Sequence, residues 1–250
     1  MGTLASKKTD RPSRGEFAWR RLGDVGLCFL LTLFGLMRIV ATSDAAREGD
    51  WLASAHHAIV GLSLLVMAVL PIIRRSTVAR GEGFTPKVIA VVGGYVIIPL
   101  AALPLTWRPD WLLTATTLGL MAGAAIEIWA LMTLRRSFSV FPEARKLVTH
   151  GPYGRVRHPL YAVYIVSYVL VALPRLGVPA FGLAALGIVA QVMRSKREEQ
   201  ILRSAFSEYD EYGARVPAFM PRFRRPGVTE APRRSDVATA AERSDEAQAA

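Results

Sequence analysis

Two short stretches of the chain gather the side chains best able to do chemistry. The first reads Leu147-Val148-Thr149-His150-Gly151-Pro152-Tyr153-Gly154-Arg155-Val156-Arg157-His158-Pro159-Leu160-Tyr161. Gly-Pro and His-Pro punctuate it as a turn, yet it packs tyrosines, histidine and cations directly ahead of an apolar run. The second stretch holds Arg194, Glu198 and Glu199. Arg194 and Glu198 are four residues apart, so on a helix they share a face. These types can pair ions, share hydrogen bonds and stack. Each stretch also has a plain structural reading. Tyr153 and Tyr161 can anchor the chain at lipid headgroups while the arginines mark topology. Arg194 with Glu198 can be an ordinary helical ion pair, worth about 0.2–0.5 kcal/mol on an exposed surface. Close to a bilayer, however, a charge is costly unless it is used.

The elements that must position these residues follow from composition. The 250 residues are 52% hydrophobic and 20% charged, with a mean hydropathy of +0.28. The charges sit in blocks between long uncharged runs, which excludes an ordinary soluble globule, and the apolar excess excludes a disordered chain. A net charge of +11 and a pI near 10.4 would suggest nucleic-acid binding in a soluble protein. In a membrane protein the same excess marks the cytoplasmic loops and segments lying on anionic lipid, so no nucleic-acid partner is expected. The single cysteine, Cys28, permits no intrachain disulfide and no cysteine-based zinc site, so no metal ligand set is assigned. The chain contains no asparagine and hence no N-glycosylation site.

A membrane span needs about 20 apolar residues. Four runs qualify: Val25–Ser43, Trp51–Ile73, Val88–Trp107, which carries Pro99 and Pro104, and Trp111–Leu134. A fifth run, Leu160–Met193, is split by Pro174, Arg175 and Pro179 into halves each shorter than a span, which predicts a helical hairpin. Arg194–Tyr212 reads as an amphipathic cytoplasmic helix, and the residues from Arg222 onward as a disordered tail. The expected fold is therefore an all-α, polytopic membrane helix bundle with four transmembrane helices, a C-terminal helical hairpin and an amphipathic cytoplasmic helix. It divides into a basic cytoplasmic N-terminal segment (1–23), the four spans (24–134), a functional region (135–221) and the tail (222–250). Basic residues precede the first span and follow the second and fourth, so the positive-inside rule places both termini in the cytoplasm. The Ala- and Arg-rich composition suggests a bacterial inner membrane. The first apolar run begins too far from Met1 to read as a removable signal sequence.

Taken together, Leu147-Val148, Gly151-Pro152-Tyr153 and Arg157-His158-Pro159-Leu160-Tyr161, followed after a hairpin by Glu198-Glu199-x-x-Leu202, Phe206, Tyr209, Tyr212 and Val216-Pro217, resemble the isoprenylcysteine carboxyl methyltransferase family, whose wider group includes phospholipid N-methyltransferases. The resemblance covers roughly residues 134–221. It implies a membrane-embedded enzyme that transfers a methyl group from S-adenosylmethionine to a lipophilic small molecule or lipid. The family's cofactor contacts would fall on Arg145, Lys146, Leu147, Val148, Tyr153, His158, Pro159, Leu160, Tyr161 and Glu198. Its substrate-binding arginine would fall on Arg194, which with Glu198 makes the catalytic pair that the resemblance implies. Two positions depart from the family pattern, where Val163 replaces a common glycine and Ser207 follows Phe206 in place of glycine. The alternatives are an NADPH-dependent membrane reductase of the sterol type and a non-catalytic membrane scaffold. Outside these stretches, Glu127 is an intramembrane carboxylate for which Arg38 is a candidate partner, and His56 and His57 are read as interfacial.

Overall fold

The computed structural model describes residues 14–73, 79–80, 85–137, 143–144 and 146–221. Arg145, the start of the basic N-terminal segment and the tail 222–250 lie outside the described residues. Eight helices are described: α1 (Arg14–Arg47), α2 (Trp51–Ile73), α3 (Thr85–Tyr95), α4 (Ile97–Ala102), α5 (Asp110–Leu134), α6 (Pro159–Ala172), α7 (Val178–Ala205) and α8 (Tyr209–Arg215). Two-residue strands, β1 (Ala79–Arg80) and β2 (Glu143–Ala144), pair antiparallel with Ala79 opposite Ala144.

The chain is an all-α integral membrane bundle. Among the described residues, four helical segments are long and apolar enough to cross a bilayer: Cys28–Arg47, Trp51–Leu70, Asp110–Leu134 and Val178–Ala205. Large apolar side chains such as Phe29, Val40, Ile72, Phe181 and Val178 stand on the outside of the bundle, where lipid rather than water can cover them.

The spans are not the four that the apolar runs suggest. Val88–Trp107 does not form one continuous helix, because α3 stops at Tyr95, α4 restarts at Ile97, and Leu103 turns extended ahead of Pro104. Proline disfavours helix in the preceding residue, and Pro99 withholds one backbone donor. Conversely, α7 runs for 28 residues straight through Arg194, so the second arm of the hairpin is a full span and the expected separate helix over Arg194–Tyr212 is divided between α7 and α8. Pro179 lies in the first turn of α7, where its missing N–H costs nothing. The helix ends at Phe206, whose backbone is extended.

The bundle is joined at two ends, one holding the Gly151–Gly154 turn and the start of α6, the other holding the α1–α2, α4–α5 and α6–α7 turns. At that second end Arg175 is a staple rather than a mere interruption. Its guanidinium donates to the carbonyls of Val171 (2.8 Å), Ala101 (2.9 Å) and Leu103 (3.1 Å). The amides of Thr106 and Trp107 both donate to the Pro174 carbonyl.

Between helices, small residues let backbones approach. A Cβ on Gly61 would meet the Gly35 carbonyl and Arg38 Cβ at 3.2 Å, which locks α1 against α2. A Cβ on Gly187 would fall 2.3 Å from Cζ of Tyr168, so α7 can seat the Tyr168 ring only on a glycine. Tyr168 in turn donates its hydroxyl to the Gly93 carbonyl at 3.1 Å, linking α6 to α3.

Candidate functional site

A cavity of about 950 Å³ opens among α1, α2 and α3 to α7. Its polar wall is built at the basic end by the turn Gly151–Gly154, the start of α6 and the last turns of α7. Gly151 has φ +61°, a left-handed conformation suited to glycine, and it packs against Thr133 of α5. The turn that follows buries Tyr153, whose carbonyl accepts a 2.7 Å hydrogen bond from the Tyr212 hydroxyl. Next, the amides of Arg157 and His158 donate to the carbonyls of Pro217 (2.8 Å) and Ala218 (2.9 Å), which straps the C-terminal segment onto the turn. Pro159 then starts α6 at a position that needs no amide donor.

The charges interlock across this strap. One oxygen of Glu199 accepts from His158 Nε2 at 2.9 Å and from Arg157 at 3.2 Å, while the other lies 3.7 Å from Arg203. Arg157 also donates to the Gly213 carbonyl at 3.1 Å. The neighbouring Glu198 points elsewhere, taking a 2.6 Å hydrogen bond from Tyr161. The Arg194 guanidinium lies 5.2 Å from the Tyr161 ring centroid and donates to Gln191 at 3.2 Å. Adjacent glutamates on one helix thus serve two tasks, since successive side chains point about 100° apart. Burial, reinforced by the Glu198 carboxylate, pushes the Tyr153 hydroxyl well above the ordinary phenol range. Burial likewise raises Tyr209, and raises Tyr212 to about 12. These three tyrosines are neutral phenols at physiological pH, and of them Tyr212 donates its hydroxyl to the turn.

Of the residues singled out in the sequence, Lys146, Leu147, Val148, Tyr153, His158, Pro159, Leu160, Tyr161, Arg194 and Glu198 all line this one cavity, while Arg145 lies outside the described residues. Val163, at the position where a glycine is common, also lines it and is buried.

Sequence reasoning singled out Glu127 but missed Tyr164 and Gln191, which also line the cavity. Tyr164 of α6 donates to Glu127 of α5 at 2.8 Å, and Gln191 of α7 donates to the Gly93 carbonyl. Tyr164 lies three residues after Tyr161, a spacing that puts both on one helical face and was the available signal. Arg38 does not pair with Glu127. Its Nη1 lies 3.0 Å from Nδ1 of His57, and His56 lines the cavity beside it. Two orphaned donors complete the description: Arg157 Nε and the Tyr209 hydroxyl are buried without a hydrogen-bond partner among the described residues.

The fold and cavity define an integral membrane helix bundle with a polar-ended intramembrane pocket. Comparison with known proteins then gives the particular likeness. Over 139 residues the chain is 32% identical to the nickel-cobalt-cadmium resistance protein NccN of Alcaligenes xylosoxydans xylosoxydans, a match covering 53% of this chain and 62% of that protein. Over 126 residues it is 32% identical to the cobalt-zinc-cadmium resistance protein CzcN of Cupriavidus metallidurans, covering 47% of this chain and 52% of the relative. The matches thus span about half to three-fifths of these relatives. No family model matches the chain.

These findings correct the functional reading of the sequence. Relatives named for metal resistance overturn both the assignment to the isoprenylcysteine carboxyl methyltransferase family and the activity of an S-adenosylmethionine-dependent methyltransferase. They lend no support to the reductase or scaffold alternatives either. The geometry gives a physical reason why the motif misled. Gly151, Arg157, His158, Glu199 and Tyr212, whose spacing carried the resemblance, have structural work in strapping the turn to α7 and α8. The pattern can therefore be required by folding without specifying a reaction.

Proposed function

We propose that the chain is an integral membrane component of cellular tolerance to divalent transition metals, acting through an amphiphilic organic ligand held in the cavity rather than by caging the metal. The observation that carries this reading is the lining of the cavity, in which Arg157, His158, Tyr161, Arg194 and Glu198 gather at one end and can hold an acceptor-rich polar head. The apolar remainder of the lining suits a lipophilic tail, which would reach the pocket sideways from membrane lipid. The resistance role is supported by the 32% identity to NccN and CzcN. Direct metal storage is disfavoured by the donor set, because the described residues bring no three His, Cys, Asp or Glu side chains together. The Ala- and Arg-rich composition favours a bacterial inner membrane, and the basic loops favour both termini and the polar end of the cavity on the cytoplasmic side.

Deleting the gene from its host and plating on graded nickel, cobalt, cadmium and zinc salts tests the reading. Tolerance to at least one metal is expected to fall, to return with the wild-type gene, and to return only partly with Arg194→Gln. Unchanged tolerance to all four metals would reject the role. Stoichiometric retention of cobalt by the purified chain in equilibrium dialysis would reject the organic-ligand part of it.

A further inference from the structure

Arg38 is a permanent cation within the first span, and its compensation is unusual. Guanidinium groups only donate, so the His57 Nδ1 at 3.0 Å must be the unprotonated, accepting nitrogen of an uncharged ring. A neutral partner hydrogen-bonds the guanidinium without neutralising it, and a charge inside a bilayer is costly unless it is used. Among the described residues no carboxylate is ion-paired with Arg38. Asp50, at the start of α2, is exposed and accepts the Ala53 amide at 2.9 Å, while Glu127 across the cavity takes the Tyr164 hydroxyl. The side chain is not extended toward the end of the apolar run at Ser43, five residues on, but bonds sideways to His57 on α2. Bonding to His57 also turns it toward α2 and the pocket, whose lining includes both Arg38 and His56. Leu31, Phe34, Val60 and Leu64 continue that lining as an apolar trough.

We propose that Arg38, braced by His57 and flanked by His56, is a second anion-recognising pole of the cavity, and that it takes the carboxylate or phosphate head of an amphiphile whose chain lies in the adjoining trough. The inference rests on reading the cavity as a ligand pocket, and not on the metal-tolerance role. A free fatty acid and an anionic phospholipid offer the same head chemistry, so both serve as probes.

Purified full-length protein in neutral detergent is titrated with oleate, dioleoyl phosphatidylglycerol and oleyl alcohol, and bound ligand is counted by native mass spectrometry. At least one anionic probe is expected to bind about tenfold more tightly than the alcohol, the discrimination of one or two charge-assisted hydrogen bonds. Preference for oleate alone identifies a free acid, and preference for the phosphatidylglycerol a lipid. Arg38→Gln should sharply reduce the preference, Arg38→Lys should keep much of it, and Arg47→Gln, at an exposed cation on the same helix outside the cavity lining, should leave it in place. Equal binding of all three probes by the wild type, or an undiminished preference in Arg38→Gln, would overturn the proposal. A fatty acid carrying a diazirine next to its carboxylate gives a reading that needs no variant. Crosslinks should fall on α1 and α2 around Arg38 and His56, and crosslinks confined to the neighbourhood of Arg194 would overturn it. Unchanged metal tolerance in the deletion strain would end the tolerance role while leaving these outcomes as they stand.

Discussion

Glu199→Gln isolates the strap that holds the polar wall together. In the native chain one carboxylate oxygen accepts from both His158 and Arg157, and all three side chains are largely buried. The substitution keeps the shape and one accepting oxygen but removes the charge facing Arg157. A charge-assisted hydrogen bond contributes about 1.5–3 kcal/mol and a neutral one about 1. The Arg203 contact adds little, because that side chain is half exposed and 3.7 Å away. With one acceptor retained, the expected loss is about 2 kcal/mol. For a chain of this size that corresponds to a fall in Tm of roughly 4–8 °C.

The local signature is sharper than the melting temperature. The amides of Arg157 and His158 donate to Pro217 and Ala218, so hydrogen exchange at 157–158 should accelerate in the variant while exchange in α2 and α5 stays at the wild-type rate. A double-mutant cycle with Arg157→Gln should show a coupling on the order of 1 kcal/mol, since the two residues touch. Unchanged exchange at 157–158 together with additive single effects would refute the view that Glu199 anchors the turn, and would free the motif for a purely chemical role.

Gly187→Ala should be among the more damaging single-methyl changes in the chain, costing about 1–3 kcal/mol by overpacking, because Tyr168 is held in place by its bond to Gly93; thermal unfolding in detergent checks this. Gly151→Ala places a side chain at φ +61° and 3.1 Å from Thr133 Oγ1, with an expected cost of about 1–2 kcal/mol and faster proteolysis of the 146–158 turn. The pH response follows from Tyr212, which burial raises to about 12. Between its ordinary value near 10 and about 12 the folded state holds the proton that the unfolded state releases, so this contribution to stability is intact below pH 10 and is lost as pH rises through 12. Alkaline melting curves should show the loss, and Tyr212→Phe should reduce it while the other buried tyrosines keep the remainder.

Much of the scaffold was readable because its causes are local. Uninterrupted apolar length shows that Trp51–Ile73 and the run ending at Leu134 are spans, and the Gly-Pro and His-Pro pairs fix the turn ahead of α6. Even so, α7 was divided too early, since Arg194 looks like the end of an apolar run whereas helix propensity carries it on to Ala205. The candidate site was legible as two blocks, but not as a set of partners.

The sequence by itself determined a membrane-embedded, helical chain with a basic turn and an acidic-basic helix end, because hydropathy, proline and glycine act on their own neighbourhood. Tertiary structure alone decided that Glu199 meets His158 and Arg157, that Glu198 meets Tyr161, that Glu127 meets Tyr164, and that Arg38 meets His57. Helical periodicity fixes which side chains share a face of one helix. It does not fix the depth or rotation at which two helices dock, and in this bundle those are set by close contacts such as Gly61 on Gly35 and Gly187 under Tyr168.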